Sequence, residues 1–230
     1  RTGPPTVGGR WSLLPDRETD PTVRAHAAAD LLLERYGVVT RGAVVAEGVP
    51  GGFALMYKVL SRFEETGRCR RGYFVDTLGG AQFSTPEVVD RLRSYGESLE
   101  GRHTGTPAVT LAACDPANPY GAALPWPKSA APEDSPRHRP GRKAGGLVVL
   151  VDGELGLFVE RGGRTVLTFT EDPGTLRGAC ASLAGSVKGG GLDTLVVEKV
   201  DGSSIHGHLF AEFLAEAGFS ATPRGFRLRA

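Results

Sequence analysis

Between residues 41 and 85 the spacing of apolar positions changes repeatedly, and the changes outline a fold. Gly42 to Glu47 reads as a short helix that Thr40 can cap. Phe53, Met56, Leu60 and Phe63 then recur three and four residues apart, which puts them on one face of a longer helix. Lys58, Ser61, Arg62 and Glu65 fall on its other face. Gly67 stops this helix, because glycine tolerates the left-handed backbone a helix end needs. A basic and aromatic strand is expected over Arg68 to Val75, then a turn at Gly79-Gly80 and a return through Ala81-Gln82-Phe83. Two helices followed by a β-hairpin predict a winged helix-turn-helix.

The flanks complete that unit. Asp20 is a natural N-cap and Pro21 suits a first helical turn. Val23, Ala27, Leu31 and Leu32 then run at helical spacing to a stop at Gly37. Val38-Val39-Thr40 is a short extended piece. A last amphipathic helix starts at Ser84/Thr85 with Pro86 in its first turn, Val88, Val89 and Leu92 inward and Arg91 and Arg93 outward. Residues 21–95 are therefore expected to form a winged-helix module. Residues 1–20 are expected to be a Pro/Gly-rich connector with one apolar knot, Trp11-Ser-Leu-Leu14, whose Trp packs onto the next domain.

Residues 96–143 change texture and read as an extended, Pro-rich segment. Ala108 to Cys114 has the pattern of one strand, Asp115 to Gly121 is turn chemistry throughout, and Leu124-Pro-Trp-Pro127 is held extended by its prolines. Lys128 to Pro140 is rich in Pro, Ser and charge, a mobile composition. From Ala144 the period becomes two. Leu147 to Val151 is a strongly apolar strand, Asp152-Gly153 is a tight hairpin signal, and Leu155, Leu157 and Val159 alternate in a second strand. Gly162-Gly163 leads to a third, Thr165 to Phe169. A helix over Pro173–Val187, a strand over Thr194–Val200 and a helix over Gly207–Ala217 follow. The end alternates, Phe226 and Leu228 one way and Arg227 and Arg229 the other. Residues 144–230 are expected to be a small antiparallel, β-barrel-like domain carrying two helices, so the class is α+β.

Composition narrows the function. The chain has 230 residues and a net charge of +1, so any nucleic-acid site must be a local patch. Three widely spaced cysteines (Cys69, Cys114, Cys180) fit neither a zinc site nor a disulfide framework and point to a reducing cytosol. No apolar run reaches membrane-spanning length and the start is not a signal peptide. The first residue is Arg1, not Met, which suggests a piece of something longer. There is no Walker-type phosphate loop, no Gly-x-Gly-x-x-Gly after a strand and no Gly-x-Ser-x-Gly elbow, so the chain is not expected to bind or hydrolyse ATP. Asp115, Asp152 and Asp201 each precede Pro or Gly, the composition of turns. His206 and His208 lie two apart near a helix start, where a loop or cap role competes with a metal pair lacking further ligands.

The strongest chemical signal is basic. Arg68, Arg70 and Arg71 lead the wing with Tyr73 close behind, and guanidinium clusters of this kind bind backbone phosphates. Alternation would place Arg68 and Arg70 on one side of the strand and Arg71 and Tyr73 on the other. Lys58 and Arg62, one turn apart on the second helix, extend the patch. The competing reading is a solvated face with ion pairs to Glu64, Glu65 and Asp76. Downstream, Tyr120 and Trp126 beside Lys128, Arg137, Arg139, Arg142 and Lys143 could stack and hold a single strand, or the segment is an arm that packs Trp126 into a neighbouring domain.

Several runs together resemble a known family: GRWSLL, LLxRYGVVTR, GGFALMYKVLSRFEETGRCRRGYFVDTLGGAQF, DPANPYGAALPWP, RPGRKAGGLVVLVDGELGLFVERGGRTVLTF and TPRGFRLR. In this order they look like the C-terminal region of bacterial large helicase-related proteins (Lhr), over nearly the whole chain. The resemblance implies a superfamily 2, ATP- and Mg-dependent 3′–5′ DNA helicase as parent, acting on single strands, duplexes or RNA:DNA hybrids in the cytoplasm. It implies tandem winged helices and a terminal barrel-like module, with the motor elsewhere. The implied partners are DNA and the helicase core of the same chain, and a homo-oligomer is possible; no cofactor is expected in this stretch. Some members are linked to uracil removal through an Asp at the extreme C-terminus. Here Arg224 to Ala230 holds no carboxylate, so no catalytic residue carries over.

Overall fold

A computed structural model describes residues 12–99, 107–129 and 139–230. Trp11, the stretch 100–106 and Arg137 lie outside the described residues. Helix α1 (Pro21–Tyr36) starts at Asp20, whose carboxylate accepts from the Thr22 and Val23 amides, and Pro21 fills its first turn. Strand β1 (Val38–Val39) leads to α2 (Arg41–Ala46), capped by Thr40, whose hydroxyl accepts from the Ala43 amide at 3.2 Å. Helix α3 (Gly52–Glu65), strands β2 (Arg70–Gly72) and β3 (Gln82–Ser84), and α4 (Pro86–Leu99) complete the unit. The small sheet is antiparallel in the order β1-β3-β2. Helix, strand, two helices and a two-stranded wing is the winged-helix order.

Its core forms where the spacing placed it on α3: Met56, Leu60 and Phe63 are buried against Val39, Val44 and Phe83, with Phe53 partly buried beside them. On α1 the inward face is rotated from the expected one. Ala25, Ala29, Leu32 and Leu33 are buried, whereas Val23 and Leu31 are half exposed. Small alanines let α1 approach α3 closely, and this close approach decides which stripe faces in. The expected basic strand is also shorter: only Arg70–Gly72 pairs, against Gln82–Ser84.

The second half is built on β4 (Ala108–Ala112), β5 (Leu147–Val151), β6 (Glu154–Val159) and β7 (Thr165–Thr168), followed by α5 (Pro173–Lys188). Then come β8 (Thr194–Val197), β9 (Lys199–Val200), β10 (Ser203–Ser204), α6 (Phe210–Glu216), β11 (Ser220–Thr222) and β12 (Gly225–Arg229). Asp152 and Gly153 both have positive φ (53° and 82°), the backbone of the two-residue hairpin that their sequence signals.

The barrel-like antiparallel expectation needs correcting. Among the described residues the strands form two open sheets, β10-β9-β7-β6-β5-β4 and β11-β12-β8, and neither closes. The pairing of β7 with β9 is parallel. A chain that leaves β7 through a helix and returns beside it arrives in the same direction. The chain changes sheet at Glu198, so β8 and β9, successive in sequence, serve different sheets. Asp201, buried with φ 50°, fixes this junction by accepting from the Thr168 amide (2.9 Å) and hydroxyl (2.7 Å).

Strand β5 is buried on both faces. Val149 and Val151 pack with α5 and α6 residues such as Leu183 and Phe213, while Val148 and Leu150 pack with Phe158 and Leu167 under Tyr120 and Trp126. Strand β4, which lies within the strand expected over Ala108 to Cys114 of the extended Pro-rich segment, pairs with β5 along its whole length.

The end of α1 is tied to the end of α2 through Glu47, which accepts from Arg35 (2.7 and 2.8 Å) and from the Tyr36 hydroxyl (2.7 Å). Those hydrogen bonds hold the Glu47 carboxyl below its ordinary range. Burial first, then the bond to Glu47, pushes the Tyr36 phenol up to about 12 from an ordinary 10.0. The neutral phenol is thus the favoured form in the fold. Its contribution to stability is complete below pH 10 and is lost as pH rises towards 12. In an ultraviolet phenolate titration, the difference between wild type and Tyr36→Phe is expected to show one ionisation near 12; ionisation at the ordinary value would reject this packing of Tyr36.

Candidate nucleic-acid interface

The wing is organised by one buried amide. Gln82 is 1% exposed; its Oε1 accepts from the amides of Phe74 (3.0 Å) and Val75 (2.8 Å). Its Nε2 donates to the carbonyls of Val75 (3.0 Å), Leu78 (3.3 Å) and Gly79 (3.1 Å). A loop without a continuing ladder leaves backbone groups unpaired, and this side chain satisfies them in place of a strand. Tyr73 projects from the wing 83% exposed and lies over Gly80, where a side chain would collide with its ring.

The arginines adjacent in sequence are divided in space. Arg68 lies outside the strand, stacks on the Phe63 ring at 3.8 Å and pairs with Asp30 of α1 at 2.6 Å. Arg71 leans on α3, donating to the Tyr57 hydroxyl at 2.6 Å and pairing with Glu64 at 3.5 Å. Arg62 pairs with Glu65 at 2.5 Å. Arg70 is exposed on β2, where the period of two points it away from the Arg71 side, and Lys58 is exposed on α3. Neither Arg70 nor Lys58 has an ion pair among the described residues. The paired guanidiniums remain partly exposed, and surface pairs of this kind contribute at most about 1 kcal/mol, so a phosphate can exchange for the carboxylate.

The downstream candidates take different places. Trp126 stacks on Tyr120 (6.5 Å between centroids) and meets Phe158 edge-on at 5.7 Å. The Arg142 guanidinium donates to the carbonyls of Asn118 (2.6 Å), Asp115 (3.0 Å), Tyr120 (3.3 Å) and Cys114 (3.4 Å). It holds the turn in front of the tryptophan. Lys143 is exposed. His208 accepts from the Phe210 amide at 3.1 Å, at the start of α6.

Where the arm meets the winged helix, Gly42 comes so close to the Ala122 carbonyl that a Cβ would sit 2.2 Å from its oxygen, and the Thr40 hydroxyl donates to the Ala123 carbonyl at 3.5 Å. Beside this contact lies a cleft of about 980 Å³, bounded by α2, the wing residues 78–82 and the turn 121–126. Its walls include Phe53, Val45, Leu78 and Trp126, with Arg41 at the first turn of α2, and among the described residues no Asp or Glu lines it. Arg41 escapes sequence reasoning because it stands alone; its only signal is its position one residue after the Thr40 cap.

A winged-helix module joined by a packed arm to an open-sheet α/β unit defines the class of protein. Residues 18–104 match the family model of the winged-helix domain of large helicase-related proteins, and this stretch belongs to that domain family. It is 55% identical over 232 residues to "Lhr helicase/ probable uracil glycosylase" of Mycolicibacterium smegmatis, covering 98% of this chain and 15% of that protein. It is 38% identical over 223 residues to "Lhr helicase/uracil glycosylase" of Escherichia coli, covering 96% of this chain and 14% of that protein. The chain therefore spans a small part of these relatives' length. Among the described residues, no helix is long and apolar enough to cross a membrane.

Replacing Gln82 by Leu keeps the volume but strands five backbone partners. Stability is expected to fall by about 2–3 kcal/mol in urea unfolding, with faster amide exchange at Phe74 and Val75 than at Phe83. Unchanged exchange in the wing would show that the amide does not organise it.

Proposed function

We propose that this chain is an accessory nucleic-acid-binding and scaffolding segment of a DNA helicase of the large helicase-related family. It touches backbone phosphates without sequence preference, through α3 and the wing, with Lys58, Arg70 and Tyr73 as leading contacts and Arg62, Arg68 and Arg71 as exchangeable ones. The ATP and Mg chemistry belongs to a motor elsewhere in the longer protein, and its helicase core is the second partner. The observation that carries this reading is the winged-helix order itself, with Lys58 and Arg70 exposed on its helix and wing strand and without an ion pair among the described residues.

The names of both relatives favour a second reading, uracil excision. The cleft beside the wing is roomy enough for a base. Glycosidic cleavage of a flipped base needs a carboxylate, or an equivalent, to activate water or stabilise developing positive charge. Among the described residues the cleft lining has none, so binding is the preferred reading. Excision of uracil from an oligonucleotide by the 230-residue chain would reverse that preference.

Anisotropy of labelled single-stranded, duplex and hybrid oligonucleotides across a salt titration tests the first reading. Lys58→Gln with Arg70→Gln is expected to weaken binding to every sequence alike and to flatten the salt slope on duplex DNA by about 0.9 per lost contact. Binding by wild type with an unchanged slope in the double variant would remove the wing from the interface.

A further inference from the structure

The last strand carries a second basic surface, on a different sheet from the wing. Strand β12 is the central strand of β11-β12-β8. Leu228 is buried and Phe226 half-buried, facing the core, so the period of two sends Arg227 and Arg229 to the opposite, exposed face. Arg224 is exposed at the hairpin tip between β11 and β12.

The register fixes what surrounds these side chains. Arg227 lies opposite Ser220 on one side and Val196 on the other, and Arg229 lies opposite Thr194. No directly facing position is acidic. Glu198, opposite Gly225 on the same face by alternation, is already paired with Arg164 at 3.6 Å. Arg35, Arg68, Arg71, Arg164 and Arg177 each have a carboxylate within reach. Arg224, Arg227 and Arg229 have none among the described residues. In a chain of net charge +1, three unneutralised guanidiniums on and beside one strand form a concentrated positive surface. Arg227 and Arg229 are about 6.8 Å apart along an antiparallel strand, at roughly 3.4 Å per residue. This step is comparable with the spacing of successive phosphates on a nucleic-acid strand. Guanidinium forks match phosphate geometry, and the neighbouring Ser and Thr hydroxyls are of the kind that contact phosphate oxygens. The platform is firm, because β12 is hydrogen-bonded on both edges and backed by the apolar core.

We propose that the exposed face of β12, with Arg224, Arg227 and Arg229, is a phosphate-backbone binding surface that holds a single nucleic-acid strand, in addition to the wing contact. The proposal rests on the nucleic-acid reading above and adds to it a site in the second half of the chain.

The test compares three forms of the 230-residue chain on a labelled single-stranded oligonucleotide across a salt titration: wild type, Arg224→Gln/Arg227→Gln/Arg229→Gln, and Lys58→Gln/Arg70→Gln. The triple variant is expected to flatten the slope of log affinity against log salt by about 2, at roughly 0.7 per phosphate on a single strand, and to lose at least about tenfold in affinity at low salt. Arg227→Lys/Arg229→Lys keeps the charge and is expected to keep the slope. If the triple variant does not fold, the single Arg227→Gln and Arg229→Gln changes carry the test, each flattening the slope by about 0.7. Wild-type slope and affinity in the glutamine variants, with weakened binding by Lys58→Gln/Arg70→Gln, would overturn this site and leave the wing reading standing. No binding by wild type at low salt would overturn both. Binding to phosphatidylserine vesicles in place of oligonucleotide would assign the face to an anionic membrane surface and overturn it.

Discussion

A strand with no polar face must be covered twice. Leu147 to Val151 has that property: Val148, Val149, Leu150 and Val151 are all buried, and leaving either set exposed would forfeit about 25 cal/mol for each Å² of apolar surface. Helices α5 and α6 cover one side. The other side is covered by Phe158, Leu167, Tyr120 and Trp126, so the Pro-rich arm becomes part of the core. Once Trp126 is seated, the turn before it is fixed. Arg142 holds its carbonyls, and Gly121 is required because any side chain there would strike the indole. The same turn presents the Ala122 and Ala123 carbonyls to Gly42 and Thr40 at the start of α2. The placement of the winged helix beside the sheet therefore traces back to the need to bury the second face of β5.

Electrostatics follows a different logic in the two halves. In the winged helix the bases were placed where acids already stood: Asp30 reaches Arg68, Glu64 reaches Arg71 and Glu65 reaches Arg62. Each such pair stabilises the module by no more than about 1 kcal/mol, yet together they cancel much of the field a phosphate would feel. A wing that binds by exchange of partners has a modest intrinsic attraction and a strong dependence on salt. On β12 the arginines face hydroxyls and a valine, and their field is not cancelled at close range. Local charge, not the net charge of the chain, separates the two surfaces.

Much of this architecture was legible in the sequence, and the misses have physical causes. The caps at Asp20 and Thr40, the α3 stripe and the Asp-Gly hairpin are local signals, and each depends on residues within one turn of one another. The rotated face of α1 was not legible, because alanine at positions 25 and 29 marks close approach to α3 only once α3 is in place. A barrel-like, wholly antiparallel sheet was expected from alternating strands, although the order strand-helix-strand around α5 already carried the parallel return of β9 onto β7. The divided arginines show the limit of alternation. It holds over Arg70 to Gly72, where a ladder exists, and has no force at Arg68, where an aromatic ring and Asp30 decide the direction. Gln82 gave no sequence signal, since a glutamine beside a Gly-Gly turn reads as surface.

The cleft beside the wing shows how far shape and chemistry can part. It is walled by Phe53, Val45, Leu78 and Trp126, and Trp126 is seated there by packing against the second face of β5. A cavity that arises where two modules meet is apolar because the edges of two cores form its walls. Space for a base is then a by-product of assembly, and only a positioned acid or base would turn it into a reaction site. Its charged member, Arg41, is a cation at the rim, suited to holding a phosphate and unable to take a proton from water at neutral pH. Among the described residues the cleft lining pairs this one cation with apolar walls and backbone carbonyls, whereas the carboxylates of the winged helix, Asp30, Glu64 and Glu65, are engaged with arginines on its outer surface.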